Sequence, residues 1–318
     1  MQEPDQSAGR LRVPLSRLTL GTSWDADRID GLDTVSALEH VLDDSTGAIS
    51  VIDTSNEYAR GRSEQIIGDA ARRRGGVPPG ITIATKLDRD PDTGSYSAER
   101  MRRSLQESRD RLGLEVIPLL YLHDPERISY AEAFAEDGPV RALVTMKERG
   151  DATAIGISGG PAPMLQHYVE TGLFDAVITH NRYTLVDRSA EELIQTAVAR
   201  GVAVVNAAVY GGGALARWPQ PVTTYGYRPA HPDVIAAVEA MGSVCERHGV
   251  SLAAAALQFS TRDPRIATTV VGAHTAEHVE RFIADNQVVI DDAVFEQLDA
   301  LAPSAGVWLD PPGATWPR

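Results

Sequence analysis

Eight short apolar runs, at residues 18–22, 49–53, 81–85, 118–122, 152–157, 176–179, 202–206 and 267–271, alternate with longer stretches whose apolar residues recur at helical spacing. Parallel strands cannot be joined by tight turns, because each pair needs a crossover of a dozen or more residues, usually a helix. Eight such units predict an α/β protein whose parallel strands close into a (β/α)8 TIM barrel. The helical pattern covers 35–42, 64–74, 98–112, 131–149, 164–171, 190–200, 234–248, 252–261 and 276–284. A further stretch, 292–301, follows the last strand as an accessory C-terminal helix. A doubly wound open sheet is the competing architecture, and it would carry a glycine-rich dinucleotide turn directly after an early strand. The first run here leads into Gly21-Thr22-Ser23-Trp24, which is no such turn.

The chain has 318 residues, 43% of them hydrophobic, enough for one large core, and shows no internal repeat or interdomain linker. A single domain over 1–318 is expected, since α/β barrels of this length are commonly one domain. Formal net charge is -14 and no basic block stands out. That argues against nucleic acid or an anionic membrane as partner, both of which need clustered Lys and Arg. The expected partner is a small-molecule substrate. Cys245 is the only cysteine, so no intrachain disulfide is available, and its apolar surroundings predict an inert buried thiol. No run approaches the roughly 18 apolar residues of a membrane span. The first seventeen residues are polar, without the apolar core of a signal peptide, so a cytoplasmic protein is expected.

In a barrel of this type, reacting groups stand at the carboxyl ends of strands and on the loops that follow. Asp53, Tyr58, Lys86 and His123 all fall there. Moving a hydride to or from a carbonyl carbon requires a proton to move on the oxygen. Tyrosine can exchange that proton if its pKa, ordinarily about 10, is lowered, and a nearby ammonium has that effect. A carboxylate beside the lysine would hold the ammonium, and a histidine would orient the oxygen. No metal is called for. Only two of the 30 basic residues are lysine, Lys86 and Lys147, so a lysine at a strand end suggests that a compact ammonium is needed there. Taken singly, each residue also has a plainer reading: a solvated loop charge for Lys86, a core histidine for His123, a turn or cap residue for Asp53.

Taken together, these residues resemble the aldo-keto reductase family. Val51-Ile52-Asp53-Thr54-Ser55-Asn56-Glu57-Tyr58, continuing to Gly61-Arg62-Ser63-Glu64 and Gly68, is similar to that family's signature. Ile83-Ala84-Thr85-Lys86 is similar to its lysine strand, and Leu120-Tyr121-Leu122-His123-Asp124-Pro125 to its histidine strand. The resemblance implies Tyr58 as general acid/base, tuned by Lys86 and Asp53, with His123 orienting the substrate. It also implies a nicotinamide cofactor, NAD in first place and NADP as the alternative.

For that cofactor, the resemblance assigns Gly21 and Thr22 to the ribose side of the nicotinamide and Ser158 to the carboxamide. His180 or Asn181 would be the second carboxamide ligand. Asn206 falls where the family often stacks an aromatic ring, so that contact is expected to be replaced. Gly211-Gly212-Gly213 reads alone as a flexible loop or as a cradle letting backbone amides approach a phosphate; the family places its pyrophosphate loop here. Gly272, Ala273 and His278 match positions where NADP-dependent relatives grip the 2′-phosphate with a Lys-Ser pair and an Arg, which favours NAD.

Asn181-Arg182-Tyr183-Thr184-Leu185, Thr223-Thr224-Tyr225 and the stretch 245–259 resemble bacterial aldose 1-dehydrogenases of the L-fucose or D-threo-aldose type. That implies oxidation of a free sugar at C1 to the lactone. A pocket for so hydroxylated a substrate needs flat apolar walls with polar tips, for which Trp24, Tyr225, Tyr227 and Trp308 are candidates; each could equally pack a loop on the barrel. The alternatives are an aldehyde or ketone reductase, an NAD-dependent alcohol dehydrogenase for pyridoxal-like substrates, a non-catalytic nucleotide-sensing subunit, and a Schiff-base isomerase or aldolase built on Lys86.

Overall fold

The structure, a computed structural model, describes residues 9–27, 29, 33–44 and 46–316; the first eight residues of the polar leading stretch thus lie outside the described residues. In chain order the strands are β1 (Leu18–Gly21), β2 (Ile49–Asp53), β3 (Thr82–Leu87), β4 (Ile117–His123), β5 (Ala152–Gly159), β6 (Ala176–His180), β7 (Ala203–Ala207), the short pair β8 (Thr224–Tyr225) and β9 (Arg228–Pro229), and β10 (Ile266–Gly272). Eight of them close into a parallel barrel in the order β1-β10-β7-β6-β5-β4-β3-β2, as the alternating pattern predicts; β8 and β9 form a separate antiparallel hairpin. The helices are α1 (Thr34–Asp43), α2 (Arg62–Arg73), α3 (Ala98–Leu112), α4 (Tyr130–Ala133), α5 (Pro139–Glu148), α6 (Ala162–Glu170), α7 (Glu191–Ala199), α8 (Pro232–Arg247), α9 (Leu252–Thr261), α10 (Ala276–Gln287) and α11 (Asp292–Ala300).

Barrel strands are buried on both faces, which is why they read as continuous apolar runs rather than as alternation. Ala84, Tyr121, Ala154, Ile178, Val205 and Ala267 cluster together on the inner face. Their neighbours Ile83, Leu120, Ile155, Val177 and Val204 pack in a second cluster with helix residues. Burying each such aliphatic side chain contributes roughly 1.5–3 kcal/mol. Gly156 is required by this packing: a Cβ there would lie 2.3 Å from Cε1 of the buried Tyr121 ring.

Leu11 and Val13 join the inner cluster and cap the amino end of the barrel. The Arg10 amide donates to Gly201 O and the Thr82 hydroxyl to Pro14 O, tying that segment to the starts of the strands. The carboxyl end is left for chemistry.

The stretch 131–149, expected as one helix, is two. Gly138-Pro139 interrupts it, because proline lacks the amide that would continue the ladder and instead opens α5 at its first position. The accessory helix α11 is present and packs with α8 over a cluster containing Val234, Val238, Met241, Val294 and Leu298. Cys245 lies in that cluster, free and buried, and burial pushes its thiol up to about 11, in keeping with an inert role. No helix among the described residues is long and apolar enough to cross a membrane.

Candidate functional site

Three strand ends and one turn bring the four expected reacting residues together. Asp53 ends β2, Lys86 sits near the end of β3 opposite Tyr121 of β4, and His123 ends β4 opposite Ser158 of β5. Tyr58 opens a turn, Tyr58–Gly61, in which Ala59 (φ 48°) and Arg60 (φ 56°) are both left-handed. Such backbone costs of order 1–3 kcal/mol per residue, and it turns the chain sharply just after the tyrosine.

Lys86, only 1% exposed, is saturated. Its Nζ donates to Asp53 Oδ2 at 2.8 Å, to Thr54 O at 2.7 Å and to Tyr58 Oη at 3.2 Å. Burial disfavours its charge, but the Asp53 carboxylate and the Tyr58 oxygen outweigh burial and hold the ammonium's pKa above its ordinary value. Tyr58 departs from expectation. Burial raises its phenol pKa, Asp53 and Asp88 add to that, and Lys86 pulls the other way without prevailing. The lysine therefore limits the rise rather than producing a net lowering.

His123 has a partner that motif reading missed. Its Nδ1 lies 2.6 Å from Asp88 Oδ1 and 3.2 Å from Ser55 Oγ. The Ser55 hydroxyl donates to Asp88 Oδ2, which also accepts the Glu57 amide at 2.9 Å. Burial opposes charge on His123, but Asp88 overcomes it and raises the imidazole pKa. Asp88 is itself buried, yet the imidazole and its hydrogen bonds hold its carboxyl below the usual range. The signal available in the sequence was position alone: Asp88 lies two residues beyond Lys86. Ligand atoms of Asp88, His123 and Glu57 come within 4.8 Å of one another, and Asp88 and His123 are hydrogen-bonded to each other at 2.6 Å.

The expected cofactor residues divide. Gly21 and Gly272 end the paired strands β1 and β10 at the mouth, and Ser158 shares the inner face with Ala154 and Gly156. Asn181, left-handed at φ 61°, is buried with its Oδ1 unpartnered. Its Nδ2 donates to His180 Nδ1 at 3.1 Å. Burial and Arg182 depress His180 to about 4, so at neutral pH it is a neutral ring with its proton on Nε2. An unpartnered buried acceptor beside Ser158's side of the mouth suits a primary amide, and it favours Asn181 over His180 as the carboxamide ligand. Gly211, Gly212 and Gly213 all have positive φ (61°, 75° and 99°), but the amides of Gly211 and Gly213 already donate to Ala208 O and Tyr210 O. Two of the three are thus committed to the turn. His278 lies exposed in the first turn of α10, where its amide donates to the capping Thr275.

Several assignments need correction. Thr22 is buried with its hydroxyl donating to Asp53 O and accepting from Ser63, so it supports β2 instead of facing a ribose. Asn206 points outward: its Nδ2 donates to Tyr183 O and to Ser260 of α9, while Val205 and Ala207 face the barrel interior. Tyr225 is buried beneath Gly211, its hydroxyl donating to Asn181 O at 2.6 Å with Thr184 at 2.8 Å. It anchors the loop. Tyr227, 74% exposed at the hairpin tip with its ring 6.2 Å from His180, is the aromatic that reaches the mouth. The Trp24 indole is buried and donates to Ala273 O at 2.8 Å. Trp308 keeps a buried, unpartnered Nε1.

Beside His123 the mouth is acidic. Asp124, Glu126 and His180 bring ligand atoms within 4.8 Å of one another. Glu126 Oε1 accepts the Gly160 amide at 3.1 Å, and its Oε2 is buried without a partner. Burial and Asp124 raise its pKa. The Arg182–Asp310 pair, at 2.6 Å, ties the C-terminal segment bearing Trp308 to this rim.

The sequence pattern of the Aldo/keto reductase family matches residues 17–303. The chain is 26% identical to a pyridoxal 4-dehydrogenase of Microbacterium luteolum, covering 92% of this chain and 96% of that protein. It is 32% identical to a D-threo-aldose 1-dehydrogenase of a Pseudomonas species, covering 56% and 54%. Among solved structures it is similar to the holo form of an aldo-keto reductase from Bacillus halodurans, with a TM-score of 0.74, 22% identity, and 95% and 98% coverage. At that identity the likeness shows the fold.

Proposed function

The chain belongs to the aldo/keto reductase family and is an NAD(P)-dependent oxidoreductase; from there we propose that it works as one domain oxidising a free aldose, of the L-fucose or D-threo-aldose type, at C1 to the lactone. The carrying observation is the Lys86 ammonium bridging Asp53 and the Tyr58 hydroxyl at the barrel mouth. When bound, nicotinamide supplies the hydride acceptor. Tyr58 Oη takes the C1 hydroxyl proton, and Lys86, held by Asp53, stabilises the phenolate form that accepts it. His123 orients the same oxygen. Ser158 and Asn181 are suited to hold the carboxamide, the Gly211–Gly213 turn the pyrophosphate, and the β10–α10 junction with Gly272 and His278 the adenosine end.

The acidic rim supports a sugar over an anion. A polyol offers hydroxyl donors, and Glu126 Oε2 is a buried acceptor in need of one. The exposed Tyr227 ring gives a flat face beside it. A pyridoxal-like alcohol is the second reading, supported by the pyridoxal dehydrogenase matched nearly end to end. The test is a spectrophotometric screen of NAD⁺ and NADP⁺ against free aldoses and aromatic alcohols, with NADH and NADPH against carbonyls. L-fucose, D-arabinose and L-galactose, which share ring stereochemistry, should outperform their epimers, because unpaired polar groups penalise the wrong hydroxyl pattern. The sugar reading fails if no aldose reduces NAD⁺ while simple aldehydes or aromatic alcohols turn over.

A further inference from the structure

We propose that Asp88 is a positioning residue that fixes the proton of His123 on Nδ1, so that Nε2 can donate to the reacting oxygen only when the ring is an imidazolium. The proposal deepens the oxidoreductase reading above and rests on it.

The tautomer follows from the hydrogen bonds. Asp88 Oδ1, at 2.6 Å, can only accept, so Nδ1 carries the hydrogen. Ser55 agrees with this: its hydroxyl hydrogen is given to Asp88 Oδ2, which leaves its oxygen to face Nδ1 at 3.2 Å as an acceptor. Asp88 cannot swing away. Its Oδ2 holds the Glu57 amide, its own amide donates to Ser104, and its carbonyl accepts from Arg100 Nε at 2.9 Å. The Tyr96 hydroxyl donates to His123 O at 3.1 Å and fixes the histidine backbone as well.

With Nδ1–H pinned, the neutral ring presents Nε2 as a lone pair. In that state it has no hydrogen to give to the reacting oxygen, whose own proton goes to Tyr58. The imidazolium carries a hydrogen on Nε2 as well and can donate it to that oxygen. The Asp88 carboxylate therefore sets how much of the ring is in the form that can donate to the reacting oxygen. The other groups facing the ring are few. Asp124 Oδ1 lies 3.6 Å from Nε2 and also favours the charge. Lys86 opposes it, the Tyr58 ring meets the imidazole edge-on at 5.7 Å, and Glu126 and His180 complete the rim.

The experiment is a ¹⁵N-histidine NMR titration of the whole protein without cofactor or substrate, comparing wild type with Asp88→Asn. Asparagine is close in shape to aspartate, so the volume is kept while the charge is lost. The wild-type ring should be protonated on Nδ1 when neutral and titrate above about 6.5. In Asp88→Asn its titration should fall by about one unit or more, one unit being a tenfold change in the protonation equilibrium. A fall of less than about half a unit overturns the proposal. So does a wild-type neutral ring protonated on Nε2, a result that stands even if the variant does not fold. Because no substrate is present, a wrong sugar assignment leaves this readout untouched.

Discussion

The Lys86 ammonium lies 3.2 Å from the Tyr58 hydroxyl and 4.6 Å from the centre of its ring, with the Asp53 carboxylate 2.8 Å away on its other side. This arrangement ties the proton-transfer group to one buried charge, and that charge to another.

Lys86→Arg should lower turnover severely although it conserves charge. The cavity around Nζ is closed by Asp53, Thr54 and Tyr58, and a planar guanidinium cannot point three hydrogen bonds into it. Lys86→Met should also lower thermal stability, since removing one partner of a buried pair and stranding the other costs about 3–5 kcal/mol. Steady-state rates and melting curves of both variants check this; a melting temperature unchanged in Lys86→Met would mean Asp53 is not a buried charge.

Oxidation and reduction should differ in pH dependence. Burial raises the Tyr58 pKa above its ordinary value near 10.0. A phenolate acceptor is then scarce at neutral pH and grows with each unit, so the oxidation rate at saturating substrate should rise up to about tenfold per pH unit between roughly 7 and 10. Reduction uses the phenol, which is already present, and should not rise. An oxidation rate flat across that range would contradict the raised pKa.

NAD⁺ should be preferred over NADP⁺. At the start of α10 the exposed Arg281 is paired with Glu277 at 2.9 Å, so a 2′-phosphate there would meet a carboxylate with every guanidinium. Gly272 and His278 offer no permanent charge. Each charge-assisted bond foregone is worth about 1.5–3 kcal/mol. The check is the ratio of kcat/KM values; equal or higher values for NADP⁺ would contradict it, and Glu277→Gln should move the ratio toward NADP⁺.

Gly156→Ala should destabilise the fold by about 1–3 kcal/mol, the usual cost of overpacking. The new methyl would sit 2.3 Å from the Tyr121 ring and 2.9 Å from Ala176 O, and neither can retreat inside the barrel. Chemical denaturation measures this, and an unchanged midpoint would show the interior layer to be looser than described.

The barrel was legible because strands buried on both faces leave short apolar runs, and eight of these alternate with stretches of helical spacing; Asp53, Lys86 and His123 follow from standing at the ends of three such runs. What stayed hidden depends on relations that no run records. Asn206 could be placed after a strand, but only the parity of β7 shows that it points away from the mouth. Tyr225 and Tyr227 differ by two positions, and a hairpin decides that one is an anchor and the other exposed. Asp88 carries no motif, and its role exists only because β3 and β4 lie side by side. The split of the 131–149 helix was written in Gly138-Pro139, and the regular apolar spacing on either side concealed it.

Tyr58→Phe tests the central claim most directly, because it keeps the ring beside Lys86 and removes only the hydroxyl that exchanges the proton. The measurement is turnover with the best substrate from the screen, alongside cofactor binding followed by fluorescence. Turnover should fall by at least about 10²–10⁴-fold with cofactor affinity preserved. A variant retaining more than about a tenth of wild-type turnover would contradict the assignment of Tyr58 as the acid/base.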